Sequence, residues 1–215
     1  MPIIHRFQGI TTHSHFFTVP LEHAKPNGET IRVFGREVVA TARENDALPW
    51  LVFLQGGPGF GAPRPEDNSG WLKRALQEYR VLLLDQRGTG LSTPVTHQTM
   101  ARFASPAEMA DYLKHFRADA IVQDAELIRK QLAGEQTRWS VLGQSYGGFC
   151  AVHYLSAAPH GLREVYITGG LPSLYRPAED VYRATYQRVK DKNELFYARY
   201  PEDEVHVQEI IKTLM

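Results

Sequence analysis

Gly143-Gln144-Ser145-Tyr146-Gly147-Gly148 directly follows the apolar run of residues 139–142 and precedes a helical pattern over residues 149–158. This order predicts a strand, a sharp turn and a helix, with Ser145 at the apex. Such a bend strains the backbone and lifts the serine hydroxyl clear of its neighbours, as an acyl-transfer nucleophile requires. Glycines flank the serine because side chains there would collide with the next strand or helix. Taken alone, the six residues could equally be an ordinary turn whose serine caps the helix.

The surrounding pattern supports a sheet with flanking helices. Residues 51–54, 81–84, 139–142 and 165–168 are short, continuous apolar runs bounded by turn residues, as expected of strands buried on both faces. Between them, Trp71, Leu72, Ala75, Leu76 and Tyr79, and then Ile121, Ala125, Ile128 and Leu132, recur at helical spacing. Strands alternating with helices predict an α/β chain with a mostly parallel sheet. Upstream, residues 15–20 and 31–40 predict an antiparallel hairpin at a sheet edge, joined through the turn-rich Lys25-Pro26-Asn27-Gly28. Past residue 170 the strand signals stop. Tyr182, Tyr186 and Val189 set up a helical stripe, and Pro201 with Glu202, Asp203 and Glu204 opens a further helix. The expected division is therefore a core over residues 1–170 and a helical excursion over residues 171–215.

Two more glycine-rich loops follow predicted strands. The first is Gln55-Gly56-Gly57-Pro58-Gly59 and the second Asp85-Gln86-Arg87-Gly88-Thr89-Gly90. A phosphate-cradling role for the first is disfavoured: Gly-x-Gly-x-x-Gly and Gly-Lys-Ser/Thr are missing, and Pro63 and Pro65 deny it an immediate helix. The second reads as a tight turn with an Asp85–Arg87 pair.

With the 143–148 stretch, these loops resemble the prolyl aminopeptidases (proline iminopeptidases), serine peptidases of the α/β-hydrolase fold. The resemblance runs from about residue 30 to 215, with Gln55 where the family usually has histidine. It implies the α/β-hydrolase fold, with residues 171–215 as the start of a helical cap. Ser145 would be the nucleophile, releasing N-terminal proline from peptides through a covalent acyl-enzyme. The amides of Gly57 and Tyr146 would form the oxyanion hole, since Pro58 carries no N–H. Related hydrolases of esters, amides or epoxides are the alternative, although epoxide hydrolases and dehalogenases of this fold usually carry Asp where Ser145 stands. A non-catalytic fragment is the other.

The proton acceptor is harder to find. In this fold the triad runs Ser, then Asp or Glu, then His, which makes Asp85 a poor candidate for the acid. His153, two turns along the nucleophile helix, should point away from the apex. His160 falls in a helix-exit turn and His206 on a helical face in the excursion, as do Asp180, Asp191 and Asp203. The resemblance therefore implies that the triad Asp and His lie beyond residue 215, and that this chain is the N-terminal portion of a longer, otherwise complete fold. An interrupted sheet would expose apolar surface and favour association between copies. Glu202, Asp203 and Glu204 read as a solvated helical turn rather than as a site for the substrate amine.

Composition narrows the remaining classes. Apolar residues make up 43 % and charged residues 22 %, ordinary for a globular chain. Lys plus Arg equals Asp plus Glu at 24 each, so nothing favours nucleic acid or an anionic membrane as partner. No apolar run approaches the roughly 18 residues of a membrane span. No His/Asp/Glu cluster has ligand spacing, so no metal or organic cofactor is expected. The single cysteine, Cys150, excludes an internal disulfide and reads as a small buried apolar residue. With no secretory leader pattern at the N-terminus, the expected compartment is the cytoplasm.

Overall fold

The computed structural model describes residues 3–173 and 175–214. The chain divides into two compact units, residues 1–171 and 172–215. The first is built on strands β1 (Ile3–Phe7), β2 (Ile10–Pro20), β3 (Thr30–Ala40), β4 (Trp50–Leu54), β5 (Arg80–Asp85), β6 (Trp139–Gln144) and β7 (Leu162–Thr168). They form one sheet in the order β1-β2-β3-β5-β4-β6-β7. The pairs β1–β2, β2–β3 and β3–β5 are antiparallel, whereas β5–β4, β4–β6 and β6–β7 are parallel.

The hairpin predicted at the edge is longer than expected. β2 begins at Ile10 rather than at residue 15, and β1 adds a third antiparallel strand whose residues are all exposed. An exposed strand carries no alternation to mark it, which is why residues 3–7 gave no signal.

The central strands are continuously apolar because both faces are covered. Side chains alternate along a strand, so Val52, Leu54, Leu82 and Leu84 point to one face. There they join Ile121, Ala125 and Ile128 of α4 (Ala118–Ala133) and Cys150, Ala151 and Tyr154 of α5 (Tyr146–Ala157). Leu51, Phe53, Val81 and Leu83 pack on the other face against Leu72, Ala75, Leu76 and Tyr79, in and just after α1 (Gly70–Ala75). Each such valine, leucine, isoleucine or phenylalanine, taken fully out of water, contributes about 1.5–3 kcal/mol. Between β5 and α4 lie two helices with no counterpart in the predicted pattern, α2 (His97–Met100) and α3 (Pro106–Leu113). Short helices give too few turns for periodicity to show. What marks α3 is its cap: the Ser105 hydroxyl accepts the Glu108 N–H at 3.2 Å, and proline occupies the first position.

The second unit holds α6 (Ala178–Arg199) and α7 (Pro201–Leu214), each with acidic residues in its first turn, where the helix dipole favours them.

Candidate active site

β6 ends at Gln144 and α5 begins at Tyr146, so the chain reverses at one residue. Ser145 has φ 53° and ψ −117°, and among the described residues it is the one non-glycine residue with positive φ. A backbone held there costs about 1–3 kcal/mol and persists only where its surroundings fix it. They do so through backbone hydrogen bonds. The Ser145 N–H donates to the Thr168 carbonyl of β7 at 2.9 Å, and the Ser145 carbonyl accepts from Gly148 N–H at 2.8 Å and Phe149 N–H at 3.3 Å. The turn is also packed from below: a Cβ on Gly147 would lie 1.9 Å from the Leu54 carbonyl oxygen of β4. Ser145 is exposed and its side chain caps nothing, which removes the helix-capping alternative.

The loop after β4 lies against this turn. A Cβ on Gly56 would meet Ser145 Cβ at 2.9 Å and Ser145 Oγ at 3.5 Å, so only glycine leaves room beside the hydroxyl. The loop is braced from two sides. Gln55 turns back so that its Oε1 accepts the Gly56 N–H at 2.9 Å, and Gln86 Nε2 donates to the Gln55 carbonyl at 3.0 Å. Among the described residues, neither the Gly57 amide nor the Tyr146 amide has an acceptor. Tyr146 is the first residue of a 12-residue helix, where backbone N–H groups are left over and the dipole favours negative charge.

The loop after β5 differs from its predicted internal pairing. Asp85 does not bind Arg87. Its carboxylate accepts the Ala62 N–H at 2.7 Å and the Leu91 N–H at 2.8 Å, tying together the loops after β4 and β5. Arg87 turns instead to Asp124 of α4, with Nε to Oδ2 at 2.7 Å and Nη2 to Oδ1 at 2.5 Å, and also reaches the carbonyls of Pro20, Leu21 and His115. His23 completes the cluster, 2.8 Å from Asp124 Oδ1. Asp124 is the residue that the sequence left unassigned. Its signal was an acid on the same helical stripe as Ile121, Ala125 and Ile128.

Cys150 is fully buried, and burial pushes its thiol up to about 12. Burial and the adjacent thiol likewise raise the Tyr146 phenol to about 12. Neither group ionises near neutral pH. Of the candidate bases, His160 in the first unit sits 3.8 Å from Glu126, and His206 in the second sits 3.9 Å from Asp203, both largely exposed. His153 does not hydrogen-bond Ser145. Asp180 pairs with Arg183, and Asp191 accepts from Gln187. Among the described residues, Ser145 Oγ has no hydrogen-bond partner, no group of three or more His, Cys, Asp or Glu could hold a metal ion, and no helix is long and apolar enough to cross a membrane.

Three similarities bear on this geometry. A proline iminopeptidase of Aeromonas sobria is 58 % identical over 99 % of this chain and 49 % of its own length. The proline iminopeptidase aneH of Aspergillus aculeatus is 44 % identical over 92 % of this chain and 45 % of its own. The chain thus spans about half the length of the curated relatives it matches. The solved structure of Rv0554 from Mycobacterium tuberculosis superposes with a TM-score of 0.51 at 17 % identity, covering 83 % of this chain and 53 % of that one, a likeness of fold. Residues 49–200, which hold the turn at Ser145, both braced loops and the parallel centre of the sheet, match the α/β-hydrolase fold family, and the chain belongs to that family.

Proposed function

We propose that Ser145 is the nucleophile of a serine exopeptidase that releases N-terminal proline from peptides. The observation that carries this is the strained, exposed Ser145 beside two unengaged amides, those of Gly57 and Tyr146. Ser145 Oγ would attack the carbonyl carbon of the terminal proline, and the two amides would hold the oxyanion that forms. Collapse of that intermediate breaks the C–N bond, the leaving amine takes a proton, and a prolyl ester remains on Ser145. Water then cleaves the ester, freeing proline and restoring the hydroxyl.

The proton must be moved by a base that an acid orients. We assign neither role to His153, His160 or His206. The fold's chain order puts acid and base after the nucleophile, and we place them in sequence corresponding to the other half of the longer relatives. Residues 171–215 would then be the beginning of a helical cap domain. The proline specificity rests on the similarity to the Aeromonas and Aspergillus enzymes. A cytoplasmic location is a further part of this proposal.

Turnover of proline-β-naphthylamide against p-nitrophenyl acetate by the full-length protein tests the reading, with Ser145→Ala as control. Proline release that Ser145→Ala abolishes is the expected result. Proline release retained in Ser145→Ala overturns the nucleophile, and esterase activity without proline release overturns the peptidase.

A further inference from the structure

Beside the turn at Ser145 lies a cavity of about 340 Å³, walled by Pro58, Val95, Leu113, Phe116, Ile121 and Tyr146 and floored by residues 86–89. That volume is at the small end of ligand sites and suits one side chain rather than a whole cofactor. Its position is specific: Tyr146 follows the candidate nucleophile, and Pro58 follows the candidate oxyanion donor Gly57.

The one charged side chain in its wall, Arg87, is already engaged, as are the Gln86 side-chain amide nitrogen and the Thr89 hydroxyl. The Arg87 side chain is fully buried, and every guanidinium nitrogen is occupied by Asp124, His23 or the carbonyls of residues 20, 21 and 115. Gln86 Nε2 is given to the Gln55 carbonyl, and the Thr89 hydroxyl donates to the Gln86 carbonyl. Tyr146 also lines the cavity, and burial, with the nearby Cys150 thiol, keeps its phenol protonated near neutral pH. A charged ligand would lose its hydration here without a free opposite charge to pair with, whereas an apolar one would meet the apolar wall at no such cost. The wall is also closely fitted: a Cβ on Gly88, which has φ +86°, would stand 3.0 Å from the Phe116 ring and 3.4 Å from Val95 Cγ2.

We propose that this cavity is a subsite for an uncharged, apolar side chain of the peptide, that of the residue following the scissile bond. The assignment to that residue rests on Ser145 being the nucleophile; the preference for an apolar ligand does not. The first can therefore fail while the second holds.

Ligand binding to the 215-residue protein and turnover by the full-length protein separate them. In methyl-labelled protein, N-acetyl-L-phenylalanine amide should cause saturable shifts at Val95, Leu113 and Ile121, and the corresponding glutamate and lysine amides should bind about tenfold more weakly or worse. Leu113 is 42 % exposed at the end of α3, so Leu113→Trp can fill the mouth without disturbing the core, and it should weaken the phenylalanine amide by about tenfold. Leu113→Asp, which places a carboxylate there, should weaken it as well. Unperturbed methyls at saturation elsewhere, or equal binding of the charged amides, would overturn the apolar subsite whatever Ser145 does. In the full-length protein, kcat/KM for Pro-Phe amide over Pro-Glu amide should fall in Leu113→Trp. An unchanged ratio, with amide binding intact, would overturn the assignment to the residue after the scissile bond.

Discussion

Replacing Asp85 by asparagine isolates what holds the two glycine-rich loops together. The Asp85 carboxylate is 2 % exposed and accepts amides on either side, from Ala62 at 2.7 Å and Leu91 at 2.8 Å. Asparagine keeps one acceptor oxygen and turns an NH2 group towards the other amide, so one charge-assisted bond is lost and a buried donor is left facing a donor. A bond to a charged group is worth about 1.5–3 kcal/mol and an unpaired buried amide costs about 1–3 kcal/mol. These overlap as measures of one event, so a loss of about 2–4 kcal/mol is expected for Asp85→Asn. Asp85→Ala removes both acceptors and should cost more. Urea unfolding followed by the fluorescence of buried Trp139 would measure this, with m unchanged if only the folded state is affected. A double-mutant cycle then separates the pairs, with TMAO added where a single variant is too unstable to measure. Arg87→Gln and Asp124→Asn should couple by about 2–3 kcal/mol, and Arg87→Gln with Asp85→Asn by well under about 1 kcal/mol, since they share no partner. A neutral Asp85→Asn, or strong Asp85–Arg87 coupling without Arg87–Asp124 coupling, would refute this account.

Two other expectations concern titration and access. Burial alone would raise the Glu37 carboxyl, but His15 at 2.7 Å and the Arg80 guanidinium outweigh it and hold it below its ordinary 4.5. A depressed folded value contributes stability above about pH 4.5 that is lost as pH falls through it, so Glu37→Gln should flatten the stability–pH curve on that acidic side only; an unchanged slope would contradict it. The Cys150 thiol, buried and raised to about 12, should react with a disulfide reagent at pH 8 only as fast as the protein opens, and rapid labelling of the native state would show it accessible.

The backbone of this site was far more legible in the sequence than its side-chain wiring. Glycine at residues 56, 143 and 147 is demanded by contacts that no other residue permits, so the type of turn is written directly into the chain. The strands at residues 51–54 and 81–84 were visible for a similar reason, since burial on both faces removes every polar residue from the run. Arg87 was misassigned because sequence ranks partners by nearness along the chain. Asp85 is two residues away, but the fold turns its carboxylate to Ala62 and Leu91 and brings Asp124 to Arg87 from a helix over thirty residues on. The bracing of Gln55 by Gln86 was hidden likewise, because β4 and β5 are neighbours only once the parallel pairing has formed.

That dependence on pairing explains how a strained residue can be kept at the apex. Ser145 is held by β7 through the Thr168 carbonyl, by β4 through the close approach of Leu54 to Gly147, and by the residues just past β7, where a Cβ on Gly170 would stand 2.1 Å from the Ser145 carbonyl oxygen. These restraints come from three adjacent parallel strands, β4, β6 and β7, and from no side chain of the turn itself. The orientation of the hydroxyl and of the Tyr146 amide is therefore a property of the sheet's centre. Substitutions there that shift the β4–β6 register should disable the site as thoroughly as changes at the serine, while the antiparallel edge formed by β1, β2 and β3 can vary with little effect on it.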